Sequence, residues 1–329
     1  MVTEAELEAT TRDVGRRLAG GLRPWPWRLR WWDERLMAWV MGHESLRLQA
    51  FRFVDVLPML EHPAAVADHL GEYLDEVAKP PWPIGGVRSL LRHGPGPLQR
   101  LMARQARWAA SWMARRFIAG AEHDQVMAAV TRLRKKGLAF SLDLLGEVVL
   151  GAEEADAYLQ RYQDLAEELA TGMAAWDEEP LLDSDSHGPM PRLSLSVKLS
   201  SLSGRFRPID PEGTTVDVLS RLRPLLRSAR EAGAQVYVDM ENYAVKDLVL
   251  HIVRTVLMED EFRNWGDVGV ALQAYLSEAD DDLDGLLEWV QKRGTPIWIR
   301  LVKGAYWDFE TITARARGWP IPVYQQKWQ

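Results

Sequence analysis

Five short apolar segments alternate with longer amphipathic segments in the second half of the chain, and this alternation limits the possible folds more than any other feature. The apolar segments are LAFSLDLLG (138–146), RLSLSVKLS (192–200), AQVYVDME (234–241), VGVALQAY (268–275) and PIWIRLVKG (296–304). The amphipathic segments, with apolar residues at helical spacing, are 153–173, 215–233, 246–258, 279–294 and 308–318. Apolar strands that alternate with helices predict a parallel sheet covered on both faces.

Glycines and one polar segment mark the ends of the predicted elements. Gly233, Gly294 and Gly318 each close a predicted helix, where a left-handed C-cap is expected. The segment DEEPLLDSDSHGPMPR (177–192) is polar and contains proline and glycine. We expect it to be a mobile excursion between the first helix and the second strand.

Polar residues at the strand ends distinguish between two folds that are both built from βα units in series. The residues concerned are Asp143, Glu147, Lys198, Asp239, Glu241, Gln273, Tyr275, Arg300 and Lys303. In a barrel these ends converge on one mouth, where the active site lies. In a doubly wound sheet only the switch point carries function. Polar residues on all five strands favour a (β/α)₈ TIM-type barrel, of which about five βα units are present.

The first part of the chain predicts an all-helical domain. Apolar residues recur at helical spacing in 34–60 and 99–118, the loops KPPWPIGG (79–86) and HGPGP (93–97) lie between them, and no strand-like alternation precedes Leu138. The charge changes at the same place. The first 136 residues carry 21 Lys and Arg against 15 Asp and Glu, whereas the rest carries 19 against 32. We therefore expect a helical arm and α-domain (1–136) and a partial barrel (137–329).

Several classes of protein are excluded by composition and by missing motifs. The chain has no cysteine, which excludes disulfide scaffolds and cysteine nucleophiles and fits a reducing cytoplasm. No apolar run approaches the roughly 18 residues of a membrane span. The seven histidines form no ligand-like pair, so no metal site is expected. The sequence lacks the GxGxxG, P-loop, HExxH and GxSxG motifs.

Lys198 and Asp239 are the first candidates for a functional site. A lysine in an otherwise apolar strand is costly to bury unless it is paired. Lys198 is therefore either an ion-pair partner of a barrel carboxylate, a cation that binds a substrate carboxylate, or a Schiff-base nucleophile. We favour a functional role because its strand end faces the expected mouth. Asp239 ends the neighbouring strand, so the two side chains are expected to share a site.

The segment IWIRLVKGAYW (297–307) combines a cation, small residues and aromatic residues. Arg300 alternates with apolar neighbours and should point toward the barrel axis. The small residues that follow Lys303 let a ligand approach the backbone closely. Tyr306 and Trp307 then open a helix, whose free N–H groups suit an anionic group. The pattern predicts a platform for a planar, partly anionic cofactor, with a packed strand-to-helix corner as the alternative.

These segments resemble a known family. RLVKGAYWD (300–308) is similar to the signature of the flavin-dependent proline dehydrogenases. DLLGE (143–147), SVKLSS (196–201), VDMEN (238–242), LQAY (272–275) and GWPIPVYQQK (318–327) resemble that family's strand-end motifs in the same order. The helical segments ERLMAWVM and FRFVDVLPML (51–60) resemble the arm and helical domain of proline utilisation A, the bifunctional bacterial group of the family. The resemblance covers most of the chain.

The resemblance implies a reaction and a set of site residues. The family oxidises L-proline to Δ1-pyrroline-5-carboxylate, the first step of proline catabolism to glutamate, and passes the electrons to FAD and then to a membrane quinone. Motif matching assigns Asp239 and Arg300 to catalysis, with Arg300 near the flavin N5 edge. It assigns Lys198, Tyr306 and Glu147 to the substrate side, with Glu147 orienting the arginines of the site. The implied flavin contacts are Met240, Gln273, Arg300, Val302, Lys303, Gly304, Ala305 and Trp307.

The chain also departs from the family pattern. The family continues with three further βα units and a helix with paired arginines, and five parallel strands cannot close a barrel. We expect this chain to be part of a longer enzyme, to which a C-terminal aldehyde dehydrogenase domain can belong, and to bind FAD poorly and be inactive alone. The alternatives are a Schiff-base barrel enzyme (an aldolase or a pyridoxal-phosphate enzyme using Lys198 or Lys303) and a non-catalytic helical interaction module.

A basic stretch (77–121) carries eight cations and no acidic residue. The favoured interpretation is a helix docked on the acidic remainder of the chain or on another subunit of a homo-oligomer. The alternative is an amphipathic helix with Trp108 and Trp112 lying peripherally on an anionic membrane, which would suit electron transfer to quinone. Nucleic-acid binding is not expected, because no recognition motif accompanies the charge.

Overall fold

The chain divides into two compact units, residues 1–118 and 119–329. The computed structural model describes residues 10–17, 35, 38–40, 42–60, 62–77, 97, 101, 104–108, 118–146 and 149–326. The second unit includes helix α3 (His123–Arg134), which the expected boundary at residue 136 assigns to the helical domain. That boundary stays a prediction.

In the first unit, the described residues that have regular structure are helical. Helix α1 (Glu44–Val56) continues into a 3₁₀ turn (Leu57–Met59), and helix α2 (Pro63–Asp75) begins with a proline at its first position. The two helices bury an apolar core that includes Phe53 and Val66. The predicted loop 79–86 lies outside the described residues. So does most of the predicted helix 99–118, of which residues 101 and 104–108 are described and are helical.

In the described part of the second unit, five parallel strands form one sheet and six longer helices surround it. The strands are β1 (Leu142–Asp143), β2 (Leu193–Val197), β3 (Ala234–Val238), β4 (Val268–Gln273) and β5 (Trp298–Val302). The helices are α3 (His123–Arg134), α4 (Ala152–Met173), α5 (Pro211–Glu231), α6 (Lys246–Val256), α7 (Ala279–Arg293) and α8 (Trp307–Arg317). None of the described helices is long and apolar enough to cross a membrane.

The strand order and the curvature of the sheet are those of a partial barrel. The strands lie side by side in chain order, β1-β2-β3-β4-β5, without the reversal that defines a doubly wound sheet. In a flat sheet the two outermost strands would be about 19 Å apart. Arg300 on β5 nevertheless donates to the hydroxyl of Ser141, which directly precedes β1, at 3.0 Å. The sheet is therefore strongly curved, and the predicted (β/α)₈-type fold class is confirmed.

The two faces of each inner strand differ in chemistry. Leu193, Leu195 and Val197 of β2 are almost completely buried and join the apolar core beneath the helices. Ser194 and Ser196 alternate with them and face the concave side. There the hydroxyl of Ser194 donates to Ser141, and the hydroxyl of Ser196 donates to Asp239. The apolar packing thus lies on the outer face of the curved sheet, and polar groups line its inner face.

Helix ends follow local sequence signals. Gly233, Gly294 and Gly318 have φ angles of 63°, 81° and 66°, so the predicted left-handed C-caps are confirmed. Helix α5 begins four residues before its predicted start, because Asp210 accepts a hydrogen bond from the N–H of Gly213 and caps the helix there.

The first predicted strand, 138–146, is much shorter in the structure. Only Leu142 and Asp143 form ladder pairs, with Leu195 and Ser196 of β2. β1 is the outermost strand of the described order and pairs on one side, so fewer hydrogen bonds define its length.

The polar segment 177–192, predicted to be a mobile excursion, has regular structure. It contains a short helix (Pro180–Asp183) and a hairpin of two-residue strands (Ser184–Asp185 and Gly188–Pro189). Asp183 is buried and accepts hydrogen bonds from Arg134 at 2.7 and 2.6 Å. Arg192 lies 2.9 Å from the same carboxylate. This double ion pair fastens the segment to α3 and to the start of β2, which the local sequence could not indicate.

We predict that Asp183→Asn lowers the free energy of unfolding by about 3 kcal/mol at pH 7, because it leaves two arginines without their carboxylate. Hydrogen bonding from Arg134 holds the pKa of Asp183 well below its usual range. The folded-state pKa is therefore below the unfolded value, and the stabilisation is complete above about pH 4 and is lost as the pH falls. Urea titrations at pH 7 and pH 3 should show the difference between wild type and variant shrinking at pH 3.

Asp185→Asn is the matched control for this experiment. Asp185 is exposed in the same segment, and its carboxylate accepts from the N–H of His187, a role that asparagine keeps. Its effect should stay below about 1 kcal/mol. Equal effects of the two variants, or an Asp183→Asn deficit independent of pH, would contradict the prediction.

Candidate active site

Arg300 is the centre of a polar cluster on the concave face of the sheet. Its guanidinium donates to the hydroxyl of Ser196 at 2.8 Å and to the carboxylate of Asp239 at 3.2 Å. Ser196 in turn donates to the same carboxylate oxygen at 2.6 Å. The guanidinium also lies over the ring of Tyr237, 4.2 Å from its centroid. The two residues predicted to be catalytic, Asp239 and Arg300, are thus brought together by β2, β3 and β5.

Lys198 directly follows β2 and forms an ion pair with Asp143 at the end of β1. The distance from the ammonium nitrogen to the carboxylate oxygen is 2.8 Å, and the lysine side chain is 16% exposed. Of the three roles considered for Lys198, the structure shows the ion pair with a barrel carboxylate. This pair holds the ammonium at the carboxyl ends of two neighbouring strands, where a substrate could reach it. Glu147, which was also predicted to lie on the substrate side, is outside the described residues.

Gln273, at the end of β4, links two parts of the site. Its amide nitrogen donates to the carbonyl of Glu241 at 2.9 Å, just after β3. Its amide oxygen lies 3.4 Å from the N–H of Ala305 in the turn after β5. Gln273 is buried, as is Met240, which lies next to Glu241. The loop after β3 and the turn after β5 are thereby held around one buried amide.

The turn between β5 and α8 has the open backbone that the sequence predicts. Gly304 has a φ of 116°, a conformation that side-chain-bearing residues rarely adopt. Lys303 and Ala305 are exposed, Val302 and Tyr306 are half-buried, and Trp307 is 40% exposed. The indole N–H of Trp307 donates to the carbonyl of Tyr324 at 2.8 Å. The turn is therefore fixed at both ends, and within it the N–H groups of Ala305 and Tyr306 already donate to Gln273 and to the hydroxyl of Tyr275.

A cleft of about 670 Å³ lies beside this turn. Its lining comes from three segments: Ala274, Tyr275, Lys303, Gly304, Trp307, Tyr324, Gln325 and Gln326. The volume is within the range of cofactor and ligand pockets. A backbone turn without side-chain bulk, an exposed indole and a lysine together suit a flat cofactor with anionic groups. The residues present therefore fit the flavin that the sequence implies.

Two tyrosines of the site are kept neutral. Burial raises the pKa of Tyr275 to about 12. Burial also raises the pKa of Tyr237, although the nearby charge of Arg300 opposes that shift. Both phenols therefore remain protonated at physiological pH. They can take part in hydrogen bonds but are poorly suited to transfer a proton during a reaction.

A buried lysine fastens the loops behind the site. The ammonium of Lys246 lies 2.7 Å from Asp282, 3.0 Å from Asp247 and 3.1 Å from Glu278. Burial lowers the pKa of Lys246, but the hydrogen bonds to these carboxylates outweigh burial and leave it above its ordinary value. The cluster joins the start of α6 to the start of α7, so it connects the loops that follow β3 and β4.

Several residues of the site were not among the predicted ones. Ser196 and Tyr237 could have been found from the alternation in their strands, because Ser196 lies two positions before Lys198 and Tyr237 two positions before Asp239. Ser141 could not, because its contact with Arg300 depends on the curvature of the whole sheet. Tyr275 was predicted only as a polar strand-end residue, and Tyr324, which also lines the cleft, is brought there by contacts between distant segments.

Family models match both parts of the chain. A model described as proline dehydrogenase matches residues 126–329. A second model, described as the proline utilization A N-terminal domain, matches residues 4–117. The matched residues include every described member of the Arg300 cluster and of the cleft.

Named relatives and solved structures agree with these matches. The bifunctional protein PutA of Salmonella typhimurium is 30% identical over 239 residues, which are 72% of this chain and 16% of that protein. Proline dehydrogenase 1 of Bacillus subtilis subsp. natto is 31% identical over 193 residues, 59% of this chain and 52% of that protein. The crystal structure of proline utilization A from Bdellovibrio bacteriovorus, inactivated by N-propargylglycine, is 38% identical with a TM-score of 0.78, covering 90% of this chain and 28% of that one.

We predict that Arg300 and Asp239 stabilise each other by about 1–2 kcal/mol, because their charge-assisted contact is only partly exposed to water. A double-mutant cycle of Arg300→Met and Asp239→Asn, followed by urea titration, measures this coupling.

The ion pair between Arg227 and Glu261 provides the comparison. It is bidentate, with N–O distances of 2.6 and 2.8 Å, but lies on the exposed surface. Its coupling should stay below about 1 kcal/mol. A coupling for Arg300 and Asp239 no larger than this surface value would show that the contact is not the anchor of the cluster.

Proposed function

The chain belongs to the proline dehydrogenase family, and on this premise we propose that it contributes to the FAD-dependent oxidation of L-proline to Δ1-pyrroline-5-carboxylate, with the electrons passed to quinone. It covers 16% of the bifunctional relatives' length, so the activity is proposed for the protein to which these residues belong. The main support is the Arg300 cluster. A cation held by Asp239, Ser196 and the Tyr237 ring suits a reaction in which negative charge develops beside the barrel axis.

The proposed reaction needs positioning and electrostatics more than acid–base groups. Oxidation of the ring removes a hydride from the carbon next to nitrogen and a proton from the nitrogen, and a bound flavin supplies the acceptor for the two electrons. Arg300 presents a fixed positive charge at the acceptor side. Asp239 keeps that charge in one orientation, because it accepts from both Arg300 and Ser196.

On the substrate side, Lys198 is proposed to bind the carboxylate of proline. An ammonium group can donate three hydrogen bonds, so its pairing with Asp143 is compatible with a substrate carboxylate as a further acceptor. Tyr306 is proposed to border the substrate and the cofactor. Glu147 keeps its proposed role in orienting arginines of the complete site.

On the cofactor side, the turn after β5 is proposed to hold FAD. The backbone at Lys303, Gly304 and Ala305 would contact it, and Trp307 would lie against it. The buried amide of Gln273 and the apolar side chains of Met240 and Val302 complete the proposed contacts.

The proposed partners of this chain are a further domain of the same protein, a membrane quinone and a second subunit. The PutA relatives are named as bifunctional proteins, so an aldehyde dehydrogenase domain is proposed in the same protein. The enzyme is proposed to be cytoplasmic. Its basic stretch (77–121) is proposed to dock on the acidic part of the chain or on a second subunit. The alternative is that the stretch lies peripherally on a membrane, from which the enzyme would reach quinone. Trp108 of that stretch is 65% exposed.

The Schiff-base alternative has less support from the site. A lysine acts as a nucleophile only as the neutral amine. The carboxylate of Asp143, 2.8 Å from the nitrogen of Lys198, stabilises the ammonium form instead. A purely non-catalytic interaction module would not need a polar, hydrogen-bonded interior around Arg300.

We predict that Arg300→Met in the protein expressed together with the rest of its barrel lowers kcat for proline-dependent quinone reduction about 100- to 1,000-fold, since one preorganised charge is removed. Arg300→Lys should recover only part of the rate, because a guanidinium donates to Ser196 and Asp239 through one nitrogen and to Ser141 through another, which a single ammonium nitrogen cannot reproduce. Arg227→Met, which removes an exposed surface cation, should leave kcat unchanged. Unaltered turnover in a folded Arg300→Met variant would exclude the proposed role.

We also predict that the 329-residue chain alone purifies without the visible flavin absorbance band and lacks proline-dependent quinone reduction. Ligand pockets bury most of their ligand. The described lining of the cleft comes from only three segments, and Leu301 of the outer strand β5 is 68% exposed. Absorbance spectroscopy of the purified chain, followed by titration with FAD, tests this. Stoichiometric flavin in the purified chain would contradict it.

A further inference from the structure

Tyr275 is the second residue after β4, and its ring packs against the turn that joins β5 to α8. The residue is 8% exposed. Its hydroxyl accepts a hydrogen bond from the N–H of Tyr306 at 3.3 Å. Neither the sequence pattern nor the resemblance assigns a role to this side chain, although it is a predicted strand-end residue.

The ring of Tyr275 occupies the space that a side chain at position 304 would need. A Cβ added to Gly304 would lie 2.5 Å from two ring carbons, which is closer than real Cβ atoms approach. The glycine has a φ of 116°, so its backbone is also in a region closed to most residues. Ring and glycine therefore form a matched pair in which each depends on the other.

The backbone of Tyr275 connects the two walls of the cleft. Its N–H donates to the carbonyl of Lys303 at 3.1 Å, in the turn, and its carbonyl accepts from the N–H of Tyr324 at 2.8 Å, in the segment after α8. Trp307, at the start of α8, also bonds to this segment, because its indole N–H donates to the carbonyl of Tyr324. The turn at Lys303 and the segment at Tyr324 are thus both hydrogen-bonded to the backbone of one residue with a buried ring.

We propose that Tyr275 is a positioning residue that sets the backbone conformation of the turn 304–306. Its ring supports the glycine from below, and its hydroxyl fixes the direction of the Tyr306 peptide group. Where the turn binds flavin, which rests on the function proposed above, Tyr275 affects the affinity of the site through the conformation of the turn. Its role in the conformation of the turn holds independently of the cofactor.

Hydrogen–deuterium exchange of the chain tests the positioning role directly. In Tyr275→Phe the ring remains and only the hydroxyl is lost, so the Tyr306 amide should exchange about fivefold faster, the effect of losing one ordinary hydrogen bond. The control is Tyr158→Phe. It removes another buried hydroxyl of the same unit, which bonds to the carbonyl of Leu144. The control should leave exchange at Tyr306 unchanged, and equal exchange in wild type and Tyr275→Phe would overturn the proposal.

A second pair of variants tests the contact between ring and glycine. Gly304→Ala should accelerate exchange throughout 303–307, because the new methyl group meets the ring. In the background of Tyr275→Leu the same substitution should accelerate exchange less, since the smaller side chain leaves room for the methyl group. Equal effects in the two backgrounds would show that the ring does not constrain the turn.

Flavin titration separates this proposal from the proposed function. In the protein with its complete barrel, Tyr275→Phe should raise the Kd for FAD about fivefold while Tyr158→Phe leaves it unchanged. If neither wild type nor variant binds FAD, the proposed function fails, whereas the exchange experiments still decide the role of Tyr275. An unaltered FAD affinity together with faster exchange at Tyr306 would refute the link to the cofactor.

Discussion

The guanidinium of Arg300 reaches across the concave face of the sheet, and the rest of the second unit is arranged so that it can do so. A cation removed from most of its water needs several partners at once. Here they come from three other places in the sheet: Ser141 before β1, Ser196 on β2 and Asp239 after β3. These groups lie within reach of one side chain only because the sheet is curved, so the curvature of the sheet and the composition of the site are a single structural property.

The polar interior also explains how the unit divides its stabilising interactions. The interiors of complete barrels are usually filled by bulky aliphatic side chains. In this unit the aliphatic side chains of β2 and β3 face the helices instead, and hydroxyl, phenol and guanidinium groups face inward. Burial of apolar surface therefore holds helices to sheet, whereas hydrogen bonds hold strand to strand across the interior. The polar groups of the Arg300 cluster therefore also contribute to holding the strands together.

Local patterns in the sequence predicted those structural elements that are determined by residues close together in the chain. Alternation of apolar and amphipathic segments located the strands and helices, and the glycine C-caps located helix ends. Convergence of parallel strands predicted that Asp239 shares a site with Lys198, whereas in the structure Asp239 bonds to Arg300, the residue that the resemblance had grouped with it. Contacts between distant segments were beyond such patterns. Asp183 orders its polar segment through an arginine 49 residues away, and the turn after β5 depends on a ring supplied by the loop after β4. The partner of Lys198 was left open for the same reason, because a strand end has several possible carboxylate neighbours.

The contact between Arg300 and Ser141 joins residues that are 159 positions apart in the chain. Closing so long a segment costs chain entropy before any contact repays it, and contacts of this range slow folding. We expect the bond to form after the strands and helices between its two ends have assembled and the sheet has curved. The Arg300 cluster is then completed late in folding. A substitution in any intervening helix can delay the appearance of a competent site without altering the final arrangement of its atoms.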